Sequence, residues 1–419
     1  MTRPQSQQIA RRTLIGSALA AAASARILPD LTDSQEATPA GTPQSAPSPV
    51  GPEAAPSGAA AETFADLLAL APDVLASPER PTPIAMFGDI AAQLAAIGSA
   101  QPTSSGDPAM GMWLSASRGI PLPDPAYSRG FQDDFKELFG FDLLEIDEGL
   151  DVGEQPELIS FLRGRFDEGA LLAAWSNAGH QEVDVEGQAV FSLDEGPAFD
   201  PDHPVQQIAL ARYNNVTLLP GGTLVYAPTL DLIRSMIAVG NGTAPSLANH
   251  EEVAALLPTL SEPLVGAALI DGALLDHTTL LGRHATPEVI ARLDEVLADA
   301  GEMPPATITL FGVTAGGPIR SPDGLPEATP IPAGDPAIVV IRLLMESPEA
   351  AETAAATIPR RLQSLDSLAT MQPYSELVTL RSVEALPDPP VVLLDLAAVT
   401  LPEIWLHLIA RRDLLFLAY

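Results

Sequence analysis

Three groups of residues carry the side-chain types of a metal site. Asp276-His277 and Arg283-His284 bracket the segment Thr278 to Gly282. Two imidazoles at that spacing can share one face of a helix and, with a carboxylate, hold a metal ion. The competing reading is surface histidines in a loop ahead of a helix over 287–300. Asp200, Asp202 and His203, with Asp194 and Glu195 close by, offer oxygen ligands to calcium. Their spacing lacks the glycine-centred turn of a calcium loop, and an exposed acidic loop joining two strands is the better reading. The third group is an acidic run, Asp142, Glu145, Asp147, Glu148, Asp151 and Glu154. Its irregular spacing reads as a solvated charged segment.

Other chemistries are excluded more firmly. The chain has no cysteine, which removes disulfides, thiol catalysis, iron–sulfur clusters and cysteine zinc sites. His250-Glu251 has Ala254, not histidine, at the position a zinc protease needs. Gly240-Asn241-Gly242 lacks the third glycine of a dinucleotide loop and follows a helix pattern, not a strand. Lys136, the one lysine, has no glycine-rich loop around it for phosphate. No G-x-S-x-G elbow and no S-x-x-K occurs. No residue is therefore assigned a catalytic role, and no cofactor is called for. Among the aromatics, Trp175 and Trp405 read as core. Trp113, in a Gly- and Ser-rich setting, reads as either a pocket lining or a small satellite core.

The elements that would position these residues follow from periodicity. Residues 62–156 read as a mainly helical lead-in, with helices over Glu62 to Leu75 and Phe131 to Phe139. Ile84 to Ile97 starts as a strand and continues as a helix. From Glu157 the order becomes strand, helix, strand, strand, strand, helix. Asp167 caps the first helix, Gly179 ends it, and Glu186-Gly187-Gln188 turns a hairpin. Residues 205–220 and 223–228 read as further strands. The second half repeats the order, with Ser347 capping a helix that has Pro348 at its first position. A helix over 402–412 and a buried terminal strand LLFLAY close the chain. This predicts an α+β protein with two ferredoxin-like, split-βαβ domains at 157–260 and 261–419.

The first residues bear on location. Arg11-Arg12 precede a short apolar run, Thr13 to Ala23, that ends in Ala23-Ser24-Ala25. The run is too short to span a bilayer. Its paired arginines and small-x-small end resemble a twin-arginine export signal over residues 1–25, as in bacterial or archaeal proteins exported already folded. The resemblance names a route and implies a periplasmic, envelope or extracellular location. Residues 26–61, rich in Pro, Ala and Ser, read as a disordered linker. No apolar stretch after Ala25 is long enough for an integral membrane span. Three of the 21 basic residues and none of the 54 acidic ones lie in the signal, so the exported chain is more acidic than the whole chain's net −33. That field repels nucleic acid and attracts cations, so a small ligand, a divalent cation or a basic protein is the partner expected. The function expected is an exported, non-enzymatic protein that binds a small ligand or a partner between two domains. The alternatives are a metal-dependent, hydrolase-like enzyme and a structural envelope protein.

Overall fold

The computed structural model describes residues 59–77, 80–124, 130, 134–282, 285–316, 337–398 and 404–419. The expected signal and nearly all of the expected linker lie outside these residues. Residues 60–419 form one compact unit, built on a single 12-stranded sheet in which every neighbouring pair is antiparallel.

At the centre, β1 (Ala85–Asp89) pairs with β8 (Leu264–Asp271), with Gly88 opposite Gly266. From β1 the sheet grows through β2 (Ile146–Glu154), β3 (Glu157–Gly164), β7 (Leu224–Ala227), β6 (Asn215–Leu218) and β5 (Gln188–Ser192) to the edge strand β4 (Gln181–Val185). From β8 it grows through β9 (Ala306–Thr314), β10 (Ile338–Met345) and β12 (Pro390–Ala398) to the other edge, β11 (Val378–Pro387). Both halves use one device. After β3, helix α5 (Glu168–Asn177) carries the chain to the edge, and β4 to β7 walk back to pair with β3. After β10, helix α11 (Pro348–Ser364) does the same, and β12 returns beside β10.

The α+β class is as expected, but two ferredoxin-like domains are not seen. Nor do the halves close separate sheets. The segment expected as a helical lead-in supplies β1 and β2, which join them, along with helices α1 (Ala59–Leu70), α2 (Ile90–Ala96), α3 (Met110–Ala116) and α4 (Phe135–Phe139). Residues 205–209, expected as strand, lie in α6 (Pro204–Ala209), where His203 is the N-cap and Pro204 presets the first turn. The terminal LLFLAY is buried but forms turns, not a strand.

Local signals that act within one turn hold. Asp167 accepts from the Ala170 amide at 2.7 Å, and Ser347 accepts from Ala350 at 3.2 Å. Gly179 takes a left-handed φ of 96° and ends α5, while the His180 amide returns to the Trp175 carbonyl at 3.0 Å.

The front face of the sheet is covered by α1, α7 (Leu230–Gly240) and α8 (Glu251–Leu256). Phe64, Leu67, Ile233, Val253 and Leu256 pack there on Phe87, Leu150, Phe161 and Leu310, the inward set of a period-two pattern. On the back, Gly149, Gly88 and Gly266 stand side by side on β2, β1 and β8. Their missing side chains let residues 120–123 and the Trp405 ring, from α13 (Ile404–Ala410), lie flat on the strands. Trp405 Nε1 donates to the Gly119 carbonyl at 3.1 Å, tying the two covers together. No described helix is long and apolar enough to cross a membrane.

Candidate functional site

The expected metal groups are spent on local structure. Asp276 caps the short helix α9 (His277–Leu281), its Oδ1 accepting from the Thr278 and Thr279 amides at 2.9 and 3.0 Å. Burial pushes its carboxyl up, but the bonds from Thr278 and Thr279 and the nearby His277 together outweigh it and hold the carboxyl below the usual range. His277 has both ring nitrogens engaged: Nδ1 lies 2.6 Å from the Tyr419 main-chain oxygen and Nε2 2.7 Å from Asp294. Its role is to pin residue 419. His284 lies outside the described residues. Asp200 turns its own loop, accepting from the Asp202 amide at 2.9 Å, and His203 Nε2 lies 2.9 Å from the Ala178 carbonyl. Among the described residues no group of three His, Asp or Glu side chains is placed to hold a metal ion.

Trp113 is buried on α3, so it belongs to the core and not to an open pocket. The acidic run is not a solvated stretch: residues 146–154 are strand β2, deep in the sheet. Asp142 and Glu145 form a capping box, Glu145 pairs with Lys136 at 2.5 Å, and Asp147 pairs with Arg165 at 3.4 Å.

Sequence reasoning missed the polar groups that long-range pairing brings together. One is an ion network joining four segments. His250 Nδ1 lies 3.0 Å from Asp73 and its Nε2 3.5 Å from Glu252, which pairs with Arg80 at 2.8 Å; Arg80 also reaches Asp271 at 3.5 Å. It places an Asp–His pair without a hydroxyl nucleophile at the second nitrogen, so it serves as a clasp between chain segments.

A second group sits on the front face. Glu148 stands directly across from Asp89 on β1 and from Arg163 on β3. Glu148 Oε1 accepts from Arg163 Nη1 at 3.1 Å, and Arg163 Nε donates to Thr223 at 3.1 Å. Glu148 Oε2 is buried and has no hydrogen-bond partner. Burial, then the neighbouring Asp89 charge, against the pull of Arg163, pushes the Glu148 carboxyl up to about 7. Burial likewise pushes Asp89 up to about 6, opposed by its bond to the Ala92 amide at 2.7 Å as N-cap of α2. Both acids bind protons more tightly folded than unfolded. Their stabilising contribution is complete below the unfolded pKa and is lost as pH rises through about 6 to about 7. The substitution Glu148→Gln is therefore expected to raise stability at pH 8 by about 2 kcal/mol, and to change little near pH 4.5. Urea unfolding at the two pH values checks this; an equal effect at both would reject the assignment.

The third group lines a shallow hollow on the same face, with a cavity volume of about 20 Å³, room for about one water. Its floor is Arg342 of β10, 3% exposed. Arg342 Nη1 donates to Asp395 Oδ1 at 2.9 Å and to the Leu394 carbonyl at 3.2 Å, and Nε donates to the Thr259 carbonyl at 3.4 Å. Nη2 makes no hydrogen bond among the described residues. Ser261 and Glu262 form one rim, and Leu264 and Val340 the apolar wall. No sequence signal marks this site, because a lone arginine in an apolar run, AIVVIRLL, carries no partner on its own strand. The chain matches no family model, no curated protein and no solved structure.

Proposed function

We propose that the protein is an exported, non-enzymatic binding protein whose ligand site is the hollow over Arg342. The observation that carries this reading is the nearly buried Arg342 guanidinium, whose Nη2 makes no hydrogen bond among the described residues and which lines a small depression with polar and apolar walls. A guanidinium edge facing a depression is a good donor for a carboxylate or phosphate oxygen. Binding proteins concentrate such donors in shallow, largely preformed hollows. Two related halves within the one sheet support the reading of an ancient duplication, since both extend outward from the β1–β8 pair by the same helix-to-edge return.

Native mass spectrometry of the mature protein, purified from the exporting host, tests the reading. A stoichiometric organic mass, lost when Arg342 is replaced by lysine in a variant that keeps its native melting temperature, supports it. A bare chain at its calculated mass, together with no thermal shift in a small-metabolite screen, turns the assignment toward a structural role. Cleavage after Ala25 in that sample is the expected sign of export.

A further inference from the structure

We infer that the loop at residues 194–203 docks a basic protein, with Phe199 as the anchor that enters an apolar pocket on that partner. Phe199 is 50% exposed, while every other described phenylalanine is buried or half-buried. The loop that carries it is held in place from below by three buried amide side chains, Gln206, Asn214 and Asn215. Gln206 Nε2 donates to the Ala198 carbonyl at 3.2 Å, and its Oε1 accepts from the Asp200 amide at 2.5 Å. Asn214 Nδ2 donates to the Gly196 and Ala198 carbonyls at 3.1 and 2.9 Å. Asn215 Nδ2 donates to the Asp194 carbonyl at 2.9 Å, and the Glu195 carbonyl accepts from the Leu230 amide of α7 at 2.8 Å. The main chain on both sides of Phe199 is thus fixed while the ring stands in solvent. An aromatic anchor on a fixed loop loses little freedom when it binds. Leu210 adds to it: it is 52% exposed, one turn past Gln206 at the end of α6. Of the four large apolar side chains exposed among the described residues, two therefore belong to one segment, which is more than scattered exposure. Charge selects the partner. Asp194, Glu195, Asp200 and Asp202 flank the ring, are exposed and make no ion pair among the described residues. Carboxylates around an apolar knob match a pocket rimmed by lysine or arginine. The same acids, with the chain's net −33, repel a second copy of this chain and an anionic lipid surface. The loop adjoins β5 and β6, toward one edge of the sheet, and Arg342 lies on β10, toward the other. The inference therefore stands apart from the hollow and from what the hollow binds.

The full chain with p-benzoylphenylalanine in place of Phe199, irradiated in its own host, tests the inference. The expected result is one discrete cross-linked protein, identified by mass spectrometry, which then binds the wild-type chain when purified. Phe199→Ala is expected to weaken that binding at least tenfold and to leave the unfolding midpoint unchanged, since the side chain is exposed. Glu195→Gln with Asp202→Asn should also weaken it at least tenfold. The same loss of charge at two exposed acids elsewhere, Glu352→Gln with Glu376→Gln, should leave it unchanged. Raising salt from about 50 to about 500 mM should weaken the complex by screening. No cross-linked protein, or a cross-link only to a second copy of the chain or to lipid, overturns the inference. Equal affinity in Phe199→Ala overturns the anchor, and affinity insensitive to salt and to the loop acids overturns the basic partner.

Discussion

Replacing Gly88 by alanine is expected to destabilise the protein by about 3–5 kcal/mol, far more than one methyl group ordinarily costs. Gly88 sits at the middle of the glycine row that crosses the back of the sheet. A Cβ there would stand 2.1 Å from the Pro121 carbonyl oxygen and 2.6 Å from Ile120 Cγ2. The first of these is main chain, so no rotamer change relieves it. Residues 119–123 must lift from the strands, and the Trp405 bond to Gly119 goes with them. Backbone conformation is not the cause, because Gly88 is absent from the positive-φ glycines. Gly111 provides the control. It lies in α3, and a Cβ there meets nothing within 4 Å. Gly111→Ala should leave stability unchanged or raise it by up to about 1 kcal/mol through helix propensity. Urea unfolding followed by tryptophan fluorescence reads both variants. If Gly88→Ala unfolds at the wild-type midpoint, the close approach of residues 119–123 to the sheet is wrong.

Arg361→Met should cost a similar amount, about 3–5 kcal/mol. Arg361 is 2% exposed and makes no ion pair with a carboxylate among the described residues. Its guanidinium instead donates to main-chain oxygens: Nε and Nη2 to Gly301 at 2.9 and 2.6 Å, and Nη1 to Leu415 at 3.3 Å and to Ala418. Burial, with a smaller push from the neighbouring Arg360, lowers its pKa to about 10, so it keeps its charge at neutral pH. Gly301 follows the C-terminus of helix α10 (Pro287–Ala300), where unpaired carbonyls and the helix dipole favour a cation. Methionine fills much of the same volume but leaves these carbonyls buried without donors. The variant should therefore release residues 414–419 before the sheet opens. Asp413 holds the start of that stretch, accepting from Tyr374 Oη at 2.6 Å, from Ser367 Oγ at 2.5 Å and from the Leu368 amide at 2.7 Å. Hydrogen exchange gives the decisive reading. Faster exchange confined to 414–419 and the end of α10 is expected, with β8 and β9 still protected. Exchange spread evenly over the whole sheet would assign Arg361 to the global core and not to the tail.

The sequence by itself determined what depends on neighbours in the chain. Caps at Asp167 and Ser347, the left-handed stop at Gly179 and the strand and helix periods are set within a few residues by backbone hydrogen bonding and side-chain alternation. Composition likewise settled the lack of thiol chemistry. Partner choice among strands was not legible, because the side-chain alternation along one strand does not say which other strand lies beside it. For that reason two separate ferredoxin-like sheets were expected where one continuous sheet forms, and the acidic run was read as solvated when it is a central strand. The same limit applies to the sites. His277 and Asp200 looked like metal ligands from local spacing, yet their nearest partners, Tyr419, Asp294 and a loop amide, use them up. Glu148, Arg163 and Asp89 lie on three strands, and Arg342 meets Asp395 and Thr259 across long loops. Tertiary structure decided these sites, because burial and charge pairing between distant segments fix which polar atoms keep a partner and which one is left to bind something else.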